Sequence, residues 1–233
     1  MNKKIIAFCA SMTTMSIIEV LLDRGIAKDS DIVGILDDTP ALLNQSYYNY
    51  KVIGNFSDIL NLYKSMQITH FIIGIGSPRN ILVKDYVYKT CLQLGLKPLN
   101  AIHKNLYISP RASIGEGNLI LSYSTISCHS KIGSNCVIPP GVSILEDVKV
   151  GNNVQIHAHC FIGGHCIIED NVYIGPGTTV VLGIHIGKNT VIGAGSLVLQ
   201  NIAPKSFVFG SPAVKVREND FFRKVEKWKV NKN

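Results

Sequence analysis

Branched aliphatic residues recur at every sixth position through the second half of the chain. From Ile108 they run Ile114, Ile120, Ile126, Ile132, Ile138, Ile144, Val150, Ile156, Ile162, Ile168, Ile174, Val180, Ile186, Ile192 and Val198, with no slip in register. A period of six fits neither the 3.6 of an amphipathic helix nor the seven of a coiled coil, and it is the period of a parallel β-helix. Four residues after each aliphatic comes a second position that is small or β-branched, as at Ala112, Ser124, Ser130, Cys136, Val142 and Val148, with Asn118 the clear polar exception. Such residues suit a strand that packs inward on one face. Gly often follows the aliphatic, at Gly115, Gly133, Gly151, Gly163, Gly175, Gly187 and Gly193, which predicts corners of positive φ. Gly115, Gly133 and Gly151 lie eighteen residues apart, so each turn of the coil should have three sides. Each aliphatic then stacks on its equivalent one turn away, and full burial of one contributes roughly 1.5–3 kcal/mol.

The first half has a different rhythm. Residues 3–8 (KKIIAF), 31–36 (DIVGIL) and 70–75 (HFIIGI) read as buried strands, and residues 16–23, 59–66 and 80–94 as helices. The alternation implies a small parallel sheet of Rossmann type. Ligands of such sheets bind at the carboxyl ends of the strands, here Cys9-Ala10-Ser11, Asp37-Asp38 and Gly76-Ser77. The first strand runs into FCASMTT, without the GxGxxG of a dinucleotide fold, which argues against a nicotinamide enzyme.

Composition narrows the class. The chain of 233 residues is 46% hydrophobic, enough for a real core and without a disordered signature. Its net charge of +7 favours anionic ligands; with no aromatic-interleaved basic motif, phosphorylated small molecules are preferred to nucleic acid. Six Cys show no CxxC spacing, and three of them (Cys136, Cys160, Cys166) fall at inward coil positions, as small core fillers rather than metal ligands. No apolar run reaches a membrane span, and a reducing cytoplasm is the expected compartment.

The hexapeptides resemble the left-handed β-helix of the hexapeptide-repeat acyltransferases. From about residue 3 to 217 the chain is similar to two-domain sugar acyltransferases of bacterial glycan pathways, a group that includes amino-sugar N-acetyltransferases of bacillosamine synthesis and sialic acid O-acetyltransferases. The resemblance implies an α/β Rossmann-like domain holding a nucleotide-sugar (1–100), an all-β left-handed parallel β-helix acyltransferase domain (101–214), and a basic tail (215–233) that the sequence reads as a short helix. In those relatives the first loop is of Gly-x-Ser-Gly-His type. Ala10-Ser11 matches it, while Cys9, Met12 and Thr13 replace Gly, Gly and His. Asp37 and Asp38 match the acidic pair near the nucleotide, where a carboxylate can accept from a base N–H or a ribose hydroxyl; Gly76 belongs to the third loop. Acetyl-CoA is the implied co-substrate, with no metal. Its pantetheine would lie between neighbouring coils of a homotrimer, against main-chain groups at Gly175, Gly177, Gly193, Ala194 and Gly195. Pro212, in Phe209-Gly210-Ser211-Pro212-Ala213, matches a closing motif near the adenosine, and Lys205, Lys215 and Arg217 are candidates for the CoA phosphates.

Five histidines bear on the chemistry: His129, His157, His159, His165 and His185. Imidazole titrates near working pH and can take the proton that an acceptor amine or hydroxyl loses on attacking a thioester. Register puts His129, Asp147 and His165 in one column of successive turns, where the carboxylate could orient or charge an imidazole. His157 and His159, two apart, should project from one face of a strand. The family's catalytic His aligns with Gly164, and its neighbouring acid with His165. Three readings follow: His165 as base from a shifted position, His157 or His159 in that role, or no protein base. The expected function is acetyl-CoA-dependent N-acetylation of a UDP- or dTDP-linked amino sugar by direct transfer. The alternatives are O-acetylation of a sialic-acid-like sugar and a non-catalytic trimeric scaffold.

Overall fold

The computed structural model describes residues 3–220, which divide between two compact units, one up to Ala101 and the other from Ile102. In the first unit, β1 (Ile5–Phe8) is buried along its whole length and pairs in parallel with β2 (Ile32–Leu36) on one side and β5 (His70–Ile73) on the other. Two short strands, β3 (Ser46–Tyr47) and β4 (Tyr50–Gly54), form a hairpin at the β2 edge, and β6 (Lys97–Pro98) closes the other, giving the order β3-β4-β2-β1-β5-β6. The helices are α1 (Met12–Asp23), α2 (Ile59–Ser65) and α3 (Ile81–Gln93). The core joins Ile6, Phe8 and Leu36 of the sheet to Ile59, Val83 and Val87 of the helices. The three central strands and the helices follow the apolar pattern; the hairpin and β6 do not, because strands of two to five half-exposed residues carry too little alternation to register.

The second unit is the coil. Strands of two residues pair in parallel with those eighteen positions away, as in Thr125↔Ser143, Lys131↔Lys149 and Tyr173↔Val191. They build three sheets, stacked parallel strands in a repeating pattern that fits a left-handed β-helix of hexapeptide repeats. Face one contains Thr125–Ile126, Ser143–Ile144, Phe161–Ile162 and Thr179–Val180; face two contains Lys131–Ile132, Lys149–Val150, Ile167–Ile168 and His185–Ile186; face three contains Val137–Ile138, Gln155–Ile156, Tyr173–Ile174 and Val191–Ile192. From Ile120 to Val198 every sixth aliphatic is buried, together with the second inward row. Asn118 fits there because its amide donates to the Gly133 carbonyl (2.9 Å) and its oxygen accepts from the Cys136 N–H (2.7 Å), so no buried polar atom of it is stranded.

Two expectations about the corners are corrected. The residues in the left-handed region are not the glycines that follow the aliphatics. They come two positions later: Tyr123, His129, Asn135, Gly141, Asp147, Asn153, His159, His165, Asn171, Gly177, Gly183, Asn189 and Gly195 all have φ between 54° and 76°. Asn, Asp and His tolerate this region better than most side chains. The glycines after the aliphatics are fixed by crowding. A Cβ on Gly133 would lie 2.4 Å from the Gly151 carbonyl oxygen, and one on Gly175 would lie 2.6 Å from the Ala194 nitrogen. The second correction concerns His157 and His159: the strand ends at Ile156, His157 follows it, and His159 is in the turn at φ 58°, so they do not share a strand face.

Four Asn of the corner between faces two and three form a ladder. Asn135 Nδ2 donates to Asn153 Oδ1 (3.0 Å), Asn153 to Asn171 (2.7 Å) and Asn171 to Asn189 (3.1 Å), and Asn219 Nδ2 ends the row on the Asn189 carbonyl (2.9 Å). The coil's end also departs from expectation. Ser206–Gly210 adds to face three in parallel with Val191–Ile192, and Ala213–Glu218 folds back antiparallel on it. Residues 215–218 are therefore strand and not the start of a helix, because their backbone groups complete the open sheet edge. The rest of the expected tail helix, with Phe221, Phe222, Val225 and Trp228, lies outside the described residues.

Candidate active site

The corner between faces one and two carries a group of titratable side chains. Because the coil repeats every eighteen residues, Arg111, His129, Asp147 and His165 stack in one column, Cys128, Glu146 and Gly164 in the next, and Ser113, Lys131 and Lys149 begin face two beside them. All of these but Gly164 line an open groove of about 600 Å³. His165 Nδ1 lies 3.1 Å from Asp147 Oδ2, with both side chains about half exposed (59% and 49%). The hydrogen bond from His165 holds the Asp147 carboxyl below the usual carboxylate range, helped by Lys149 and by the two histidines. With Nδ1–H directed at the carboxylate, Nε2 keeps its lone pair for a proton.

The other two candidate bases stand elsewhere. His157 and His159 belong to the corner between faces three and one. His157 is half-buried against Tyr173, with ring centroids 4.6 Å apart; its Nε2 is buried without a hydrogen-bond partner, and burial lowers its pKa. Its ring is packed against a neighbour and does not stand clear of the surface. His159 is exposed above Gly141, where a Cβ would meet its Nδ1 at 2.6 Å. His185 is a surface residue paired with Glu169 at 2.8 Å, and His103 accepts from the Asn105 N–H (3.0 Å) in a local turn.

The corner of His157 and His159 is also that of the glycines expected at acetyl-CoA. Gly175 and Gly193 are not available there as main-chain partners. Their N–H groups donate to Ile192 and Val208, and their carbonyls accept from Cys160 Sγ and from Thr178 and Ser196 Oγ. Ala194 differs: it is exposed and its peptide groups make no hydrogen bond among the described residues, so it offers a donor and an acceptor to an amide chain. Gly195 is exposed at φ 66° with open space around it. Pro212 lies exposed between the last two strands. Lys215 and Arg217 pair with Glu218 and Asp220, and Arg217 also covers the Phe207 ring.

The first unit has its own cavity, about 340 Å³, at the carboxyl ends of β1 and β2. Phe8, Leu36, Phe56, Val83 and Val87 form its apolar part; Cys9, Asp37, Asp38, Thr39 and Asn80 supply the polar rim. The acidic pair is unequal. Asp37 accepts from the Ala10 and Thr39 N–H groups (2.8 and 2.9 Å), which uses both oxygens to hold the loop. Asp38 accepts from the Phe56 N–H through Oδ1 (2.8 Å), and burial, with Asp37 and Asp58 nearby, raises its pKa. Ser11 caps α1: its hydroxyl accepts from the Thr14 N–H and donates to the Gly74 carbonyl (2.7 Å). Gly76 faces Thr13, whose Oγ1 would be 3.0 Å from a Cβ there. Cys9, where the resembling loops carry Gly, adopts φ 77°.

Sequence reasoning found the column of His129, Asp147 and His165 but missed Arg111, Cys128, Lys131, Glu146 and Lys149. Adding or subtracting eighteen from the column and its neighbours would have found them. Among the described residues no group of His, Cys, Asp and Glu could hold a metal ion, and no helix is long and apolar enough to cross a membrane.

Comparison with known proteins places the coil. Residues 129–164 and 165–200 match the bacterial transferase hexapeptide family (six repeats). An uncharacterized protein of Acanthamoeba polyphaga mimivirus, L142, is 30% identical over 125 residues, 54% of this chain, and that match spans only 22% of the relative. Among solved structures, the acetyltransferase domain of PglB from Neisseria gonorrhoeae is similar over 92% of this chain and 100% of its own, with TM-score 0.81 and 20% identity. PerB from Caulobacter crescentus, solved with CoA and GDP-perosamine, is similar over 92% of this chain and 98% of its own, with TM-score 0.72 and 20% identity. These likenesses show a shared fold.

Proposed function

We propose that this chain is an acetyl-CoA-dependent N-acetyltransferase that acts on the amino group of a nucleotide-linked sugar in glycan biosynthesis, as a homotrimer in the cytoplasm. The carrying observation is the His165–Asp147 pair at 3.1 Å on the wall of a groove in a hexapeptide-repeat coil. Proteins of the same fold have been solved with acetyl coenzyme A, or with CoA and GDP-perosamine. On this reading the acceptor nitrogen attacks the thioester carbonyl, the C–N bond forms and the C–S bond breaks. His165 Nε2 takes one proton of the ammonium group before attack, the nitrogen's second proton goes to the departing sulfur, and CoA leaves as the thiol. Asp147 orients the imidazole. No acyl-enzyme is needed.

Acetyl-CoA would run along the corner of Ala194 and Gly195, where free main-chain groups suit pantetheine amides. That corner and the His165 corner flank face one from opposite edges. In a homotrimer, a cyclic contact on face one would bring one copy's Ala194 corner toward the neighbour's His165 corner. Face one and its rims carry exposed Phe161, Leu182 and Leu199, apolar surface suited to such a contact. The α/β unit, Rossmann-like on this reading, would hold the nucleotide in its cavity, with Asp38 as the ligand-facing acid. The test is thiol release from acetyl-CoA with a panel of UDP-, dTDP- and GDP-linked amino sugars, beside light-scattering mass in solution. Turnover with an amino sugar by a trimer is expected; a monomer with no turnover would defeat the proposal.

A further inference from the structure

The groove holds a second acid that the proton transfer does not use. Glu146 precedes Asp147 in the same corner, with Cys128 one turn to one side and Gly164 one turn to the other. A Cβ on Gly164 would stand 2.9 Å from Glu146 Oε1 and 3.1 Å from its side-chain carboxyl carbon. The carboxylate thus fills the space that any side chain at 164 would claim. Glu146 is exposed, and its carboxylate makes no hydrogen bond or ion pair among the described residues, although Lys131 and Lys149 line the same groove. Asp147, next to it, is committed to His165.

An uncommitted carboxylate beside a base suits one ligand chemistry in particular. A primary amine reaches the site as an ammonium ion, with three N–H donors and a full charge. It must be held as a cation before it is deprotonated. A hydroxyl acceptor has one donor and no charge, and gains much less from a carboxylate. We propose that Glu146 receives the ammonium group of the acceptor sugar and so selects an amine over a hydroxyl; this rests on the transferase reading above. One ammonium N–H donates to Glu146, another gives its proton to His165, the freed lone pair attacks the thioester carbon, and the second proton the nitrogen sheds passes to the departing sulfur. Gly164 is then a spacer whose missing side chain gives the carboxylate its place.

Glu146→Gln keeps the shape and removes the charge. With the best amino-sugar acceptor of the panel, its KM for acceptor should rise at least about tenfold, the scale of a hydrogen bond to a charged group. The KM for acetyl-CoA should not move, and kcat at saturating acceptor should stay within about threefold. Gly164→Ala leaves Glu146 in the sequence but pushes its carboxylate aside, and should raise the same KM; Glu146→Asp should recover part of the loss. Calorimetry with the amino sugar and its hydroxyl counterpart should show wild type preferring the amine and Glu146→Gln binding both alike. If Glu146→Gln keeps the acceptor KM and the preference for the amine, this assignment is wrong while the transferase reading stands. If wild type releases no thiol with any amino sugar, both fall.

Discussion

Asp147 Oδ2 and His165 Nδ1 stand 3.1 Å apart although eighteen residues separate them, because one turn of the coil is eighteen residues long. Both occupy the left-handed position of their corners, at φ 54° and 59°. The repeat itself therefore makes the pair, without a loop. His165→Asn should lower kcat by the 10²–10⁴ or so of a lost general base, and Asp147→Asn by about ten- to a hundredfold as a lost orienting partner. Since both side chains are half exposed, thermal melts of the two variants should match wild type. Steady-state kinetics and melting curves together check this. A His165→Asn enzyme of full activity would move the base to another group.

Asp38 gives a stability prediction with a defined pH sign. Its folded pKa is raised above the reference value of 3.8, first by burial. Between those two values the native state binds more protons than the unfolded one, so this group's contribution to stability falls as pH rises. The penalty is absent below about 3.8, grows up to the folded pKa and is complete above it. Asp38→Asn retains an oxygen for the Phe56 N–H and loses the charge. It should melt above wild type at neutral pH, and the difference should vanish near the reference value. The same variant should bind nucleotide more weakly if Asp38 is the ligand-facing acid. Melts across pH, with and without nucleotide, separate the two effects.

The two kinds of coil glycine should respond differently to alanine. At Gly133 a Cβ would be 2.4 Å from a backbone oxygen of the next turn, and that backbone cannot yield without opening the stack. Gly133→Ala should cost about 3 kcal/mol or more, as severe overpacking does. At Gly183 nothing lies within 4 Å and φ is 75°, so Gly183→Ala should cost only the left-handed strain, about 1–2 kcal/mol. Urea unfolding of both variants measures the contrast. Equal losses would mean that crowding does not govern the first set.

Thiol chemistry should single out Cys128, the one exposed cysteine of the six. Burial pushes the Cys160 thiol to about 11, and burial together with Asp37 pushes Cys9 to about 11 as well. Reactivity follows the thiolate, so a maleimide at neutral pH should label Cys128 first, as peptide mass spectrometry would show. Labelling should also inhibit turnover, since Cys128 lines the groove.

The coil was legible because its rule is arithmetic: one branched aliphatic in six identifies strand and inward face, and the eighteen-residue spacing of Gly115, Gly133 and Gly151 gives the turn length. The corners were less so. A glycine beside an aliphatic reads as a conformational need, whereas Gly133 and Gly175 are there because the next backbone is too near. The column of His129, Asp147 and His165 could be read from register. Its separation from His157 and His159 could not, since that depends on where Ile156 ends its strand and on which of three corners each turn occupies. In the first unit the ends of β1 and β2 were visible, but the inequality of Asp37 and Asp38 was not. It arises from which main-chain N–H groups each carboxylate meets, Ala10 and Thr39 for one and Phe56 for the other.

The row of Asn135, Asn153, Asn171 and Asn189 bears on how such a repetitive chain finds a single pairing. Sliding one rung past another by six residues exchanges Ile for Ile or Val, and the aliphatic interior would scarcely object. The same slide would bring Gly141, His159 or Asp147 opposite an asparagine and leave amide donors and acceptors unmatched, at about 1–3 kcal/mol for each at the buried Asn135 and Asn153. The amide row therefore acts as an index mark: it gives three otherwise interchangeable corners an identity, and every groove and histidine takes its address from that mark.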